Sequence, residues 1–391
     1  MLYLDLSQFV SEPRLTGIQR AERSLIRHWP GPSAIHPCAY DPGTNTLRTL
    51  PAELLPAIAQ ESKTGGLETE ARRLAPYFKL GAPIDLKGAR ILCAELFSDA
   101  ARAAYYEDQR HSPAEAYWLV YDFLPWLRPG WFSIGAPRYM MPYLQALRTI
   151  PNVAFISRQV RDDYLDRVVR LPGAGPIFPM GADGLGLERQ SWHPSRQHIV
   201  MLGTIEARKN TLPALKAFQR LWAEGATVGF TLIGEISAHA REEYALIQSM
   251  SGQPLFRHLM DLPDEGVRTE LRTARCVLFP SEGEGYGIPP MEALHAGIPA
   301  IVAASLPALN GLPSYGQLRL KAVTIDTVAA AIRHVLNDNA AAFLWAGAAQ
   351  LSVPTWAGFA ADIAKWLHSP ISVQNQHCLH TSHTEVTTTT D

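Results

Sequence analysis

Short apolar runs rich in β-branched and aromatic residues alternate along the chain with stretches of helical pattern. In the first half they predict strands at residues 1–6, 34–39, 90–95, 117–123 and 153–157. In the second half they predict strands at residues 198–203, 229–234, 275–280 and 299–304. Helices are predicted at residues 17–28, 211–223, 240–250, 266–273, 290–296, 327–337 and 356–367. Near-continuous apolar strands between helices are typical of parallel sheets covered on both faces, so we predict an α/β protein.

The strand–helix pattern restarts near residue 198, after a stretch rich in Gly, Pro and polar residues at 172–196. A chain of 391 residues fits two domains better than one. We therefore predict two doubly wound domains, residues 1–190 and 191–355, facing each other across a cleft at the carboxyl ends of their strands. A helix within residues 356–370 is expected to pack back on the first domain. Residues 371–391 are expected to be a disordered tail, because they contain few apolar residues.

Composition and charge exclude several classes of protein. The net charge of −2 provides no general attraction for nucleic acid. The four cysteines are scattered without a CxxC pair, which argues against a zinc ribbon or a disulfide framework and favours a reducing, cytoplasmic setting. The sequence shows neither a signal-peptide pattern nor an apolar run of 18 residues, so we expect no membrane-spanning segment.

The segment from Pro280 to Leu294 has the strongest chemical pattern, with Glu284 and Glu292 eight positions apart. Alternating glycines between them would let the backbone approach a ligand closely. The Pro289–Pro290 pair suits the first positions of a helix, whose exposed N–H groups bind phosphate. Glu292 is then expected in the first helical turn, where it can accept hydrogen bonds from a ribose. The alternative is a helix-capping loop with incidental glutamates.

A second motif, residues 203–210, follows a predicted strand directly and has the sequence Gly-Thr-Ile-Glu-Ala-Arg-Lys-Asn. Arg208 offers a planar fork and Lys209 a compact charge, which together suit a diphosphate. The alternative is a solvated loop that ends in a helix cap at Asn210. The first motif should lie at the same edge of the sheet, which favours the functional interpretation.

These two segments resemble the family-4 retaining glycosyltransferases, and in particular their mannosyltransferase-like members. The similarity continues through Phe-Thr-Leu-Ile-Gly-Glu at 230–235 and Ala-Gly-Ile-Pro-Ala-Ile-Val-Ala at 296–303, and more weakly upstream at 15–20, 120–125, 156–165 and 180–183. Such enzymes have two Rossmann-like doubly wound domains that face each other across a cleft, the GT-B fold. The resemblance therefore implies an acceptor-binding first domain and a second domain that binds a nucleotide-sugar donor.

The resemblance also implies roles for individual residues. Arg208 and Lys209 would bind the diphosphate, Glu284 would contact the transferred sugar, and these three form the catalytic set. Glu292 would hold the ribose. The remaining donor-binding residues are Gly203, Thr204, Ser281, Gly285, Tyr286, Gly287 and Ile288. The acceptor-side or interdomain residues are Gly17, Arg20, Tyr121 and Asp122.

Three positions depart from the family pattern. Many members have an arginine at the position of Thr204, a histidine at that of Tyr121 and a glutamate at that of Asn310. The diphosphate would then depend more on Arg208, and the first domain's contribution to the sugar site is less well specified.

The predicted function is transfer of mannose from GDP-mannose to a saccharide or lipid-linked saccharide acceptor during polysaccharide assembly. No metal or other cofactor is expected, since fixed cations can stabilise the departing diphosphate. The alternatives are a UDP- or dTDP-sugar donor, or a non-catalytic nucleotide-sugar-binding scaffold. An oxidoreductase is disfavoured because the glycines at 283, 285 and 287 lack the G-x-G-x-x-G spacing.

The acceptor side is less well marked. Arg20, Arg23 and Arg27 share one face of a predicted helix, which suggests weak contact with an anionic membrane surface or simply a solvated face. A set of aromatic and sulfur-containing residues could line an acceptor channel, although ordinary core packing explains them better. Its members are Trp118, Trp126, Trp131, Tyr139, Met140, Met141 and Tyr143.

Overall fold

The structure is a computed structural model that describes residues 1–13, 16–31, 35–60, 67–108, 112, 114–169 and 175–369. The predicted tail, residues 371–391, lies outside the described residues. The strands are β1 Leu2–Asp5, β2 Ile35–Asp41, β3 Thr46–Thr49, β4 Arg90–Cys93, β5 Glu115–Val120, β6 Asn152–Phe155, β7 His198–Leu202, β8 Gly229–Ile233, β9 Phe256–Leu259, β10 Ala274–Phe279, β11 Ala300–Ala303 and β12 Gln317–Leu320.

Helices cover both sheets. In the first half they are α1 Ser7–Ser11, α2 Gly17–Arg27, α3 Leu54–Ala59, α4 Leu67–Leu74, α5 Ala100–Asp108, α6 Leu124–Leu127, α7 Ala136–Leu147 and α8 Arg158–Asp163. In the second half they are α9 Thr211–Ala223, α10 Arg241–Ser249, α11 Asp264–Thr273, α12 Ile288–His295, α13 Ile325–Leu336, α14 Asp338–Ala348 and α15 Trp356–His368.

The described strands form two six-stranded sheets with the same strand order. The first has the order β3-β2-β1-β4-β5-β6 and the second β12-β11-β10-β7-β8-β9. Neighbouring strands are parallel except for the β2–β3 pair, which is antiparallel and which the sequence pattern did not predict. In each sheet the order reverses once, between β1 and β4 and between β7 and β10. These two switch points are where doubly wound sheets bind ligands. The predicted α/β fold with two doubly wound sheets is confirmed.

The burial of each strand follows from its position in the sheet. Strands β1, β10 and β11 are buried at every position, because helices cover both faces of each sheet. Edge strands β9 and β12 are partly exposed, and the polar residues that interrupt their apolar runs concealed them in the sequence.

The last helix, α15, returns to the first half of the chain and packs against α2. The Trp366 ring lies 5.0 Å from that of Tyr117 and 5.6 Å from that of Phe178. At the crossing, the Ala182 N–H donates to the Pro354 carbonyl oxygen at 2.9 Å. The predicted domain boundaries at 190/191 and 355/356 stay predictions.

Candidate functional site

Two loops lie side by side at the switch point of the second sheet. One follows β7 and the other follows β10, and these strands are parallel neighbours. The Glu282 N–H donates to the Arg208 carbonyl oxygen at 3.0 Å, and Asn210 Nδ2 donates to the Pro280 carbonyl oxygen at 3.0 Å. Asn210 has a φ of 54°, a left-handed conformation that asparagine tolerates better than most residues. These bonds fix the two motifs beside each other.

The two predicted basic residues meet the first predicted glutamate here. Lys209 Nζ donates to Glu284 Oε1, and Arg208 Nη1 lies 3.2 Å from Glu284 Oε2. Ser281 Oγ also donates to Glu284 Oε1, at 2.6 Å. Each carboxylate oxygen of Glu284 therefore has a cationic partner.

Burial sets the electrostatics of this cluster. Lys209 is 9% exposed, and its ammonium nitrogen lies 4.9 Å from the centre of the Phe279 ring. Burial lowers the pKa of Lys209, and the Glu284 charge only partly restores it. Burial raises the pKa of Glu284, but attraction to Lys209 and Arg208 outweighs burial and holds that pKa below its usual value. The carboxylate is therefore ionised at neutral pH, and an anionic ligand would have to compete with it for the cations.

Helix α12 begins earlier than predicted. Gly287, with a φ of 112°, is the residue before the helix, and Ile288 is its first residue. Pro289 and Pro290 occupy the next two positions, where no N–H donor is needed. Glu292 is consequently the fifth residue of α12, so its predicted place in the first turn was wrong.

Glu292 is 3% exposed and contacts the first domain. Arg20 Nη2 lies 2.7 Å from Glu292 Oε1. Burial raises the pKa of Glu292 to about 7, although the Arg20 charge opposes the increase. The sequence singled out both residues but gave no reason to pair them.

Two glycines of the β10 loop lie directly against the first domain. A Cβ atom on Gly285 would lie 2.1 Å from the Tyr121 carbonyl oxygen, and one on Gly283 would lie 2.5 Å from the Trp131 ring. Ser157 Oγ donates to the Gly285 carbonyl oxygen at 2.7 Å. Both glycines are therefore required by close interdomain packing rather than by their own φ angles.

The predicted first-domain residues occupy different environments. Asp122 accepts a hydrogen bond from the Leu124 N–H at 2.9 Å. Burial raises the pKa of Asp122, and the charge of Arg208, which belongs to the second domain, opposes that increase. The Tyr121 side chain is buried, and its carbonyl oxygen faces Gly285 in the glycine loop. Gly17 begins α2, and a Cβ atom there would have no neighbour within 4 Å.

The remaining predicted donor-binding residues surround the cluster. Gly203 has a φ of 126° at the end of β7, and Thr204 is exposed. Tyr286 is buried, and its carbonyl oxygen accepts a hydrogen bond from the Ala308 N–H at 3.0 Å. Tyr286 and Asn310 also line a cavity of about 610 Å³, which the side chains of the Arg208–Lys209–Glu284 cluster do not line. That cavity is separate from the charged groups, and the candidate site is the Arg208–Lys209–Glu284 cluster.

Sequence reasoning missed Glu206, whose Oε1 lies 2.6 Å from Arg208 Nη2, and the two first-domain contacts made by Ser157 and Trp131. Glu206 stands inside the quoted motif, so its position was a usable signal. In the aromatic and sulfur-containing set, core packing accounts for Trp118, Met140 and Tyr143, whereas Trp126, Tyr139 and Met141 are exposed.

The α2 arginines are committed to contacts within the protein. Arg20 contacts Glu292, Arg23 Nη1 lies 2.6 Å from Glu70 Oε1, and Arg27 Nε donates to the Ala59 carbonyl oxygen at 2.9 Å. These contacts reduce the positive charge that this face could offer to a membrane, so membrane contact stays a prediction. Among the described residues no helix has the length and apolarity needed to cross a bilayer.

Comparison with known proteins places the cluster in a family. Residues 188–350, which include both loops, match the family described as Glycosyl transferases group 1. The segment that holds the cluster is thus similar to the group 1 glycosyl transferases. The resemblance to mannosyltransferase-like glycosyltransferases inferred from the motifs is confirmed, while the family number stays a prediction.

The curated relatives to which this chain is similar include mannosyltransferases. The serotype-specific mannosyltransferase WbdA of Escherichia coli is 24% identical over 332 residues, covering 77% of this chain and 38% of WbdA. The O-antigen chain mannosyltransferase B of Escherichia coli is 28% identical over 146 residues, covering 36% of this chain and 37% of that protein. The chain thus spans little more than a third of the length of the relatives it matches.

Solved structures resemble both domains together. Sucrose-phosphate synthase from Thermosynechococcus elongatus has a TM-score of 0.63 at 14% identity, covering 93% of this chain and 97% of that one. HepE of Anabaena, in complex with UDP and glucose, has a TM-score of 0.63 at 13% identity, covering 94% and 99%. These likenesses confirm the predicted GT-B fold.

Proposed function

We propose that this chain is a family-4 retaining glycosyltransferase that moves mannose from GDP-mannose to a saccharide or lipid-linked saccharide acceptor in polysaccharide assembly. The observation that carries the proposal is the convergence of Arg208, Lys209 and Glu284 at the switch point of the second sheet. The mannosyltransferases among its relatives support the choice of sugar.

The chemistry proposed for this cluster is stabilisation of a leaving group. The bond between the sugar and the phosphate breaks as positive charge develops on the sugar, and the departing diphosphate carries negative charge. Arg208 and Lys209 would stabilise that charge, together with the N–H groups just before the Pro289–Pro290 pair of α12. When the diphosphate takes the cations, Glu284 is released to accept hydrogen bonds from the sugar hydroxyls.

The resemblance suggests the remaining roles. Glu292 would accept hydrogen bonds from the ribose, which requires Arg20 to share or release that carboxylate. We propose that two cations replace a metal ion in this reaction, so turnover should persist in excess EDTA. The enzyme would act in the cytoplasm, with weak contact to the inner face of the plasma membrane.

A thermal-shift panel tests the donor assignment. GDP-mannose should raise the unfolding temperature more than UDP-glucose, dTDP-rhamnose or ADP-glucose, because a ligand that binds only the folded state stabilises it. A larger shift with a UDP- or dTDP-sugar would assign that nucleotide-sugar as the donor instead of GDP-mannose. If no nucleotide-sugar shifted the unfolding temperature, the proposed donor site would be refuted.

Two matched variants test catalysis. Glu284→Ala should abolish measurable mannose transfer, whereas Glu282→Ala, two positions away on the same loop and exposed, should retain it. If the Glu284 variant transferred mannose normally, the catalytic assignment would fail. If wild type bound GDP-mannose but released no GDP with any acceptor, the scaffold alternative would be favoured.

A further inference from the structure

A second cluster of buried charges lies at the switch point of the first sheet, where β1 and β4 are neighbours. Asp5 is the last residue of β1, and Glu95 lies two positions beyond β4. Arg102 extends from α5 to both, with Nη2 at 2.6 Å from Asp5 Oδ2 and 2.6 Å from Glu95 Oε2. This edge corresponds to the edge of the second sheet that holds the Arg208–Lys209–Glu284 cluster.

Two of the carboxyl groups in this cluster are well partnered. Asp5 also accepts a hydrogen bond from the Tyr106 hydroxyl at 2.6 Å. Glu95 accepts hydrogen bonds from the N–H groups of Gln8 and Phe9 at 2.8 Å and 2.7 Å. Their positions are explained by the stability of the fold alone.

Glu22 is the exception. It is 1% exposed, and neither of its carboxyl oxygens has a hydrogen-bond partner among the described residues. Burial, and then the nearby charge of Glu95, raise the pKa of Glu22 well above its usual range. A buried polar group without a partner lowers the stability of the fold, so its presence calls for an explanation.

A cavity of about 140 Å³ lies against this carboxyl group. Its lining includes Glu22, Glu95, Gln8, Thr16, Ile18 and Leu96. At about 30 Å³ for each water molecule it has room for four or five waters, or for the hydroxyl-bearing edge of one sugar ring.

The lining favours a neutral polyhydroxy ligand. Carboxyl groups accept hydrogen bonds from hydroxyls, while Ile18 and Leu96 offer apolar surface to the C–H groups of a ring. A cation would have to compete with Arg102, which already contacts Glu95. Thr16 is one helical turn from Arg20, the residue that reaches Glu292, so the cavity lies close to the second domain.

We propose that this cavity binds a sugar ring of the acceptor saccharide, and that Glu22 determines acceptor specificity by accepting hydrogen bonds from its hydroxyl groups beside Glu95. The inference rests on the proposed function for the statement that the bound saccharide is an acceptor. It does not depend on the identity of the donor.

The test measures binding of simple glycosides to the full chain in the presence of GDP. The probes are the methyl α-glycosides of mannose, glucose, galactose and rhamnose, followed by saturation-transfer NMR. At least one should bind wild type, and Glu22→Leu should weaken it at least about tenfold, the loss expected for one hydrogen bond to a carboxylate. Glu22→Gln keeps the shape of the side chain and one acceptor oxygen, so it should bind at an intermediate level.

Glu115→Gln is the matched control, because Glu115 is the first residue of β5 and so lies at the amino ends of the strands, away from the carboxyl ends where the cluster lies. It should bind the glycosides as wild type does, and GDP should bind all three variants equally. Equal glycoside binding by wild type and the Glu22 variants, or none by wild type, would overturn the inference even if GDP binds. Glu22-dependent binding of Mn²⁺ without any glycoside would contradict it and assign the cavity to a cation. Failure of wild type to bind GDP or any nucleotide-sugar would instead refute the proposed function.

Discussion

The two switch points of this molecule hold buried carboxylates in opposite states. In the second domain, each oxygen of Glu284 contacts a cation. In the first domain, Glu22 has no hydrogen-bond partner among the described residues. The same topology therefore places charges at equivalent edges but satisfies them differently. A saturated cluster must exchange partners to bind an anion, whereas an unsatisfied carboxyl is ready to receive hydrogen-bond donors.

The largest expected effect comes from removing a cation at the saturated edge. Lys209→Ala should reduce turnover by about 10²–10³-fold, since Lys209 would no longer stabilise the departing diphosphate. Steady-state release of GDP measures this loss. Lys216→Ala, an exposed lysine on the adjoining helix α9, is the control and should match wild type. Equal rates in both variants would remove Lys209 from the catalytic set.

A smaller effect separates the two carboxylates by their contribution to stability. Glu284→Gln should lower the free energy of unfolding by about 2 kcal/mol, because it leaves Lys209 and Arg208 with a neutral partner. Glu22→Gln should raise that free energy by on the order of 1 kcal/mol at pH 8. The gain should vanish near pH 4, since a carboxyl with a raised pKa destabilises the folded state only above its unfolded pKa. Urea unfolding at both pH values measures these changes, and destabilisation by both variants would contradict the comparison.

The most gradual effect is spread over several pH units and concerns Glu292, which is partnered yet has a raised pKa. Its folded pKa of about 7 lies above the ordinary value of about 4.5, so the folded state holds the proton more tightly. Wild type should therefore lose stability relative to Glu292→Gln as pH rises from 4.5 to 7, by about 1.4 kcal/mol for each pH unit, with no further loss well above pH 7. A difference independent of pH would show that Arg20 keeps Glu292 ionised throughout.

The fold was predictable where burial leaves a plain signal. Central strands such as β10 and β11 are apolar throughout, because both faces are covered. Strands β9 and β12 lie at edges and carry Arg257 and Arg319, so the apolar run breaks and the pattern fails. The antiparallel β3 is four residues long and follows a short turn, so it is too short to show a distinct period of polar and apolar residues.

The site was predictable to the extent that local motifs carry it. Arg208, Lys209 and Glu284 lie in two short segments whose composition indicated ligand binding before any contact was known. The Glu22 cavity had no such marker, since a glutamate within a polar helix pattern reads as solvated. Its burial depends on β1, β4 and α5, elements distant in sequence, and only the assembled fold shows it.

Helix α15 has a consequence for the order in which the molecule can form. Its buried face, which includes Trp356, Phe359, Ile363 and Leu367, completes the core beneath α2. That core belongs to the half of the chain synthesised first, yet its last piece is translated more than 300 residues after β1. The first domain consequently cannot complete this packing until the second domain and α15 have been synthesised. The first domain, although it is synthesised first, would therefore be the last to complete its packing. It would also be the domain most accessible to chaperones during synthesis.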